Sequence, residues 1–204
     1  MKNKKLPWFL VKVMLLYVLL TLPVSFLESA YRNFYMGISR AFFKEIHGTG
    51  FVRFLTDKNP SITHLQVGNT AIRQSDGTGR AALTDVNTRI RGYLPTALLF
   101  SLILAGSLAW KRKLTDLLLG FTVITLFVMF KQWIHILYVY SVNSYLNLYS
   151  FGSYQKKVIE FGYENLITTV GPSLFVVLLI WLILTLRGNS ISQILQAEKN
   201  QTNS

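Results

Sequence analysis

Between Leu94 and Tyr140 the chain carries two apolar runs separated only by Lys111, Arg112 and Lys113. A joint that short forces two helices to lie antiparallel and side by side. A bilayer core needs about 20 predominantly apolar residues to cross it as a helix. Leu94–Trp110 and Leu114–Tyr140 both approach or exceed that length, and Tyr93 and Trp110 stand at the ends of the first as interfacial aromatics. Only 15% of the 204 residues are charged and 51% are hydrophobic, where a soluble domain carries about 25% charged. Lipid is therefore the expected solvent for most of the molecule.

Two further runs complete the pattern. Leu6–Leu27 follows a basic start at Lys2, Lys4 and Lys5, and Leu166–Leu186 is closed by Arg187. The first run is longer than a signal-peptide core, and the residues around Leu22-Pro23 offer no small-x-small cleavage site, so it is expected to be retained. Lys12 can return its ammonium to the starting interface. Gly171-Pro172 is placed to kink the last run. The expected fold is an all-α membrane protein, a single membrane-embedded unit over 1–204. It has four transmembrane helices at about 7–27, 94–110, 114–139 and 166–186. Ser190–Ser204 reads as a short polar tail.

The net charge of +12 raises nucleic-acid binding. The basic residues, however, gather at the ends of the apolar runs, which is the pattern of a topology signal, with anionic lipid headgroups as the partner and no nucleic acid. Four crossings put Lys2–Lys5, Lys111–Lys113 and Arg187 on one side. The positive-inside rule makes that side the cytoplasm of a bacterial inner membrane, with both termini there. The segment over about 28–93 is then extracytoplasmic. It holds nine Lys or Arg itself, but long loops count less in that rule.

Within this segment Phe34, Ile38, Phe42 and Ile46 recur at helical spacing, which predicts a helix in the outer interface or packed on the bundle. Straight continuation of the first span is the competing reading. His47-Gly-Thr-Gly breaks the pattern. Ser61–Arg73 and Gly79–Arg91 predict a β-hairpin around the turn at Gln74–Gly79, with Thr84, Val86, Thr88 and Ile90 on one face. A lone hairpin is marginal in water, so this one must rest on span ends or on a partner.

Candidate chemistry is sparse. The chain has no cysteine, which removes disulfides, thiolate metal sites and cysteine nucleophiles. His47, His64 and His135 form no metal-ligand spacing, so no metal is expected. No phosphate-binding glycine loop or G-x-S-x-G elbow occurs, and no cofactor or catalytic residue is assigned. Lys131 and His135 are different. They are four residues apart on one helix face, and ionisable groups within a span point to function. Arg89 and Arg91, just before the second run, reach the same outer face. Arg89, Arg91, Lys131 and His135 form a candidate partner-binding cluster for a carboxylate, a phosphate headgroup or an acidic part of a partner. Two structural alternatives stand beside it: interfacial anchoring of Lys131 and His135, and internal pairing with Glu160 or Glu164.

The order of polar lead-in, span, basic turn and span resembles the core of the exosortase and archaeosortase membrane transpeptidases. Those enzymes carry a cysteine in the lead-in, an arginine at the far end of the hairpin and a later histidine. Here the corresponding stretches read Asn87-Thr-Arg-Ile-Arg-Gly-Tyr and Lys131-Gln-Trp, and no histidine follows His135. No catalytic role carries over. The stretch Arg91-Gly-Tyr-Leu-Pro-Thr-Ala-Leu98, with Asn87 and Thr88 before it, resembles the small exosortase H-associated membrane proteins. That resemblance implies a non-enzymatic inner-membrane accessory of an exosortase-type sorting system, binding the sorting enzyme or its sorted substrate. The alternative is a membrane-embedded enzyme acting on a peptide or lipid-linked substrate at the outer face.

Overall fold

The computed structural model describes residues 5–46, 48–73 and 79–201. His47 and the turn expected over 74–78 lie outside the described residues, as do Lys2 and Lys4. In chain order the elements are α1 (Lys5–Thr21), α2 (Ser25–Phe43), β1 (Glu45–Ile46), β2 (Gly50–Thr56), β3 (Ile62–Arg73) and β4 (Gly79–Asn87). A π-helical turn (Arg89–Tyr93) leads into α3 (Leu94–Ala105), followed by α4 (Trp110–Val142), α5 (Ser153–Gly162), a second π-helical turn (Tyr163–Thr168) and α6 (Gly171–Gln201).

The first helix ends at Thr21, not at residue 27, because Pro23 follows it and has no N–H to continue the ladder. The chain turns by 82° into α2. Straight continuation of the first span is therefore ruled out. Helix α2 buries Tyr35, Met36, Ser39 and Phe43, while Phe42 is exposed. The buried face is thus rotated from the expected one and includes the polar Ser39, whose hydroxyl donates to Met129 Sδ of α4 at 3.7 Å.

The expected hairpin is part of a larger antiparallel sheet in the order β1-β2-β3-β4. Strand β2 was not foreseen; its alternation puts Val52 and Phe54 inward and Arg53 and Leu55 outward. The sheet packs on α2 and the C-terminal half of α4, enclosing Tyr35, Phe54, Leu65, Val67, Val86, Ile136 and Tyr140 in one core. Strand β4 stops at Asn87 rather than Arg91. The Asn87 side-chain oxygen accepts the Ile90 N–H at 3.1 Å and starts the π turn. Of the face expected to hold Thr84, Val86, Thr88 and Ile90, Val86 and Thr88 are buried and Ile90 is exposed.

A second core joins α3, α4 and α6 through Leu99, Ile103, Ile124, Val177, Ile180 and Leu184, with Phe9 and Val13 of α1 against it. The two ends of this bundle are distinct. At one end Arg112 donates to the Leu184 carbonyl at 3.4 Å and Lys113 to the Leu104 carbonyl at 2.8 Å, tying α4's start to the ends of α6's apolar part and α3. At the other end lie the sheet, the end of α4 and the first π turn.

Among the described residues only α4, with 33 residues, is by itself long and apolar enough to cross a membrane. The pairs α1 with α2, and Ser153–Thr168 with Gly171–Arg187, pass that test only jointly and are bent by 82° and 74°, so by length and composition the described residues show one such span, or up to three if each bent pair is one, and the expected four are not shown. Two expected spans differ in detail. The 94–110 run is helical only to Ala105, since Gly106 turns extended (φ −61°, ψ 152°) and the remaining apolar residues form a non-helical link. The 166–186 run is broken at Thr169, whose extended backbone starts a fresh helix with Pro172 in its first turn, so Pro172 begins α6 instead of kinking it. Hydropathy cannot distinguish an apolar link from an apolar helix. Within the polar tail α6 continues as helix to Gln201.

Candidate functional site

The four basic residues singled out in the sequence divide into two groups. Arg89 pairs with the buried carboxylate of Glu28 and donates to the Thr21 carbonyl at 2.8 Å. Glu28 also accepts from Ser61 Oγ at 2.9 Å. Arg89 thus fastens the end of α1, the start of α2 and the sheet's margin to the lead-in of α3. Its internal partner is Glu28, and neither Glu160 nor Glu164, both exposed, forms an ion pair with the cluster among the described residues.

Arg91, Lys131 and His135 come together. The Arg91 guanidinium donates to His135 Nδ1 at 2.9 Å. Arginine has no acceptor, so Nδ1 must be the unprotonated nitrogen and the ring carries its proton on Nε2. Lys131, one turn earlier on α4, is buried and donates to Ser173 Oγ at 2.8 Å in the first turn of α6, with the Phe127 ring 5.8 Å away. Arg91 lies within electrostatic reach of both. No carboxylate pairs with Arg91 or Lys131 among the described residues. Lys131 and His135 do not end at bulk water as interfacial anchoring requires, being 3% and 1% exposed, whereas Arg91 is half-buried.

The surrounding shell is aromatic and amide. Tyr163 stacks on His135 (5.4 Å between ring centroids) and on Tyr138 (3.7 Å). Gln132 accepts a hydrogen bond from the Tyr35 hydroxyl, and its buried Nε2 has no partner among the described residues. A cavity of about 330 Å³ opens beside this group, walled by Ala81–Thr84 of β4 on one side and by His135, Tyr138, Val142 and Tyr163 on the other. Both π turns supply a member, Arg91 from the first and Tyr163 from the second. Such turns insert an extra residue into the helical ladder and re-aim side chains, often at functional positions.

Sequence reasoning missed Tyr138, Tyr163, Ser173 and Gln132. Tyr138 had a signal, since it falls seven residues after Lys131 and three after His135, on their face of α4. Tyr163 and Ser173 had none, because their placement depends on the break between Thr168 and Gly171. The third histidine, His64, sits on β3 between Asp57 (2.7 Å from Nε2) and Asp85 (2.7 Å from Nδ1). Among the described residues no group of His, Asp and Glu has the geometry to hold a metal.

Most of the Asn87–Leu98 lead-in is structural. Asn87 caps the π turn, Thr88 Oγ1 donates to the Ser61 carbonyl at 3.0 Å, the Tyr93 hydroxyl donates to the Leu20 carbonyl, and Thr96 Oγ1 donates to the Gly92 carbonyl at 2.8 Å. Gly92 leaves room for the Tyr31 hydroxyl, with which a Cβ would clash. Arg91 alone in this stretch turns into the α4 cluster.

The family model of the exosortase H-associated membrane proteins matches residues 3–187. The chain belongs to that family. Comparison with curated proteins and with solved structures gives no match. Membership in the exosortase H-associated family makes this a membrane protein associated with an exosortase system. It also agrees with the resemblance carried by Arg91–Leu98, and it extends the likeness from that stretch to the whole span of α1 through the apolar part of α6.

Proposed function

We propose that this exosortase H-associated protein is a non-catalytic, multi-pass accessory of the bacterial inner membrane that binds the sorting enzyme or the substrate it sorts. The recognition group is Arg91, Lys131 and His135, with Arg89 holding the frame behind it. One observation carries this reading: Lys131 is buried against Ser173, Arg91 meets His135 beside the cavity, and neither cation has a carboxylate partner among the described residues. An unpaired charge away from water is costly, and a partner's anionic group removes that cost.

The non-catalytic reading rests on chemistry as well as on the family. The chain has no cysteine, and His135 has its basic Nδ1 already occupied by Arg91, so the cluster lacks both a thiol nucleophile and a free ring base. The arrangement favours four crossings, by α1, by α3 with its π turn, by α4 and by α6, with both termini cytoplasmic. The 12-residue α3 is short for such a role. It is packed among α1, α4 and α6 and mostly buried, which shields its ends from lipid. With α4 centred in the bilayer, His135 lies roughly 14 Å from the middle, at the outer edge of a core about 30 Å thick.

The test is capture of the sorting enzyme or its substrate by the tagged protein in mild detergent, with and without chemical crosslinking. The expected result is a specific complex that weakens about tenfold in Arg91→Gln, the loss of one charge-assisted hydrogen bond. Recovery of the protein alone after crosslinking overturns the reading.

A further inference from the structure

Strand β4 is the last strand in the sheet order, so its outer side has no neighbouring strand. Every second residue of such an edge turns its N–H and C=O away from the sheet. Among the described residues no backbone group of Ala81–Thr84 has a hydrogen-bond partner beyond its pairing with β3. Proteins protect free edges with lysine, proline, bulges or a covering element. The sequence Ala81-Ala82-Leu83-Thr84 has neither lysine nor proline, its pairing is regular, and Leu83 is 62% exposed. The edge opens on the cavity of about 330 Å³ whose far wall is His135 and Tyr163. Behind His135 stands Arg91, and the ring's Nε2–H has no acceptor among the described residues.

We propose that the free edge of β4 takes up an extended peptide segment of a partner protein as an added strand, with an aspartate or glutamate of that segment seated against His135 in front of Arg91. This rests on the binding role proposed above and specifies its ligand. Backbone pairing along an edge supplies affinity with little sequence preference, and a side-chain pocket at one position supplies the selectivity. Charge decides the nature of that side chain. His135 on the far wall is backed by the Arg91 guanidinium, Lys131 one turn earlier adds a second positive charge, and the chain as a whole carries +12. A carboxylate accepts from Nε2–H and meets the field of both cations, whereas a basic or purely apolar side chain gains neither.

The probe is a positional-scanning library of roughly ten-residue peptides, the span of an average strand with flanks, presented to the full chain in lipid nanodiscs. The expected result is enrichment of Asp or Glu at one position by about tenfold or more, as befits a charge-assisted hydrogen bond, and loss of that preference in Arg91→Gln. Selected peptides should slow amide exchange at Ala81–Thr84 of the wild-type protein, and backbone N-methylation of the peptide should weaken binding by about tenfold or more. These two wild-type measurements decide the matter if Arg91→Gln does not fold. Absence of acidic enrichment, undiminished binding of the N-methylated peptide, or protection of β4 by a second copy of this chain without peptide each overturns strand addition. Capture of the sorting enzyme by wild-type protein alongside any of those results leaves the accessory role standing. Peptide binding as described without such capture does the reverse.

Discussion

Arg91 and His135, 44 residues apart in the chain, meet at 2.9 Å with the arginine as donor and the imidazole Nδ1 as acceptor. That single bond fixes the tautomer of the histidine and aims its Nε2–H away from the arginine. It also explains why an arginine two residues from Arg89 takes an unrelated path. The π turn over Arg89–Tyr93 sends one guanidinium to Glu28 and the other to α4. The first holds the fold together, and the second leaves a positive charge without a countercharge among the described residues.

Removal of Arg89 should be far more damaging than its partial exposure implies. Glu28 is buried, and a carboxylate stripped of its partner there costs about 3 kcal/mol or more, whereas replacing both members together is close to neutral. Arg89→Met should therefore lower stability strongly, and Arg89→Met with Glu28→Met should recover most of the loss. Thermal unfolding of the single and double variants in detergent measures the coupling. Additive losses would show that the pair does not act as a unit.

His64 offers a pH-dependent reading of the sheet. Its imidazole lies between two carboxylates; the hydrogen bond to Asp85 above all, with Asp57 on the other nitrogen, raises its pKa above the usual 6.5. The protonated ring is the paired form, so its contribution is complete below about pH 6.5 and is lost as the pH rises through the folded-state value. Asp57 behaves oppositely. The Asn59 N–H, first among its partners, holds its carboxyl below 3.8, so its contribution is lost only as the pH falls through that lower value. An NMR titration of His64 should give a midpoint above 6.5 that drops in Asp85→Asn. A midpoint at or below 6.5 in the parent protein contradicts the pairing.

The sequence carried the membrane character, the strands around Asp85, and the nearness of Arg91, though not of Arg89, to Lys131 and His135, because these follow from patterns of hydropathy, alternation and helical spacing. The helix breaks were less legible. Pro23 and Gly106 sit inside runs whose apolar composition is uninterrupted, and Thr169 ends a helix without any turn residue before Gly171. Hydropathy measures what lipid tolerates, and these links are apolar whether helical or not. Strand β2 was hidden for a related reason. Its pattern of Val52 and Phe54 inward is only a few residues long, and it becomes a strand through pairing with β3, which no local signal reports. Glu28 as the partner of Arg89 was likewise out of reach, since it lies 61 residues away across the 82° bend.

The absence of native cysteine makes the direction of the chain open to a clean measurement. Single cysteines at Leu83 on β4 and at Ser107, between α3 and α4, lie at opposite ends of the bundle. Leu83→Cys should react with a membrane-impermeant maleimide in intact spheroplasts, and Ser107→Cys should react only after lysis. The reverse labelling inverts the proposed orientation, and labelling of both from outside removes the crossing by α3 or α4.

Lys131 separates a residue kept for stability from one kept for binding. Its ammonium is buried, is held by one neutral hydroxyl at 2.8 Å, and has no carboxylate among the described residues to offset its desolvation. Methionine has nearly the same length and shape without the charge, and such exchanges of buried ionic groups are often stabilising by about 1–4 kcal/mol. Lys131→Met should therefore raise the unfolding temperature of the isolated protein while weakening capture of the sorting partner. Opposite signs in the two measurements are the signature of a charge retained for a ligand. A fall in both would make Lys131 a structural cation whose partner is Ser173 alone, and the recognition group would shrink to Arg91 and His135.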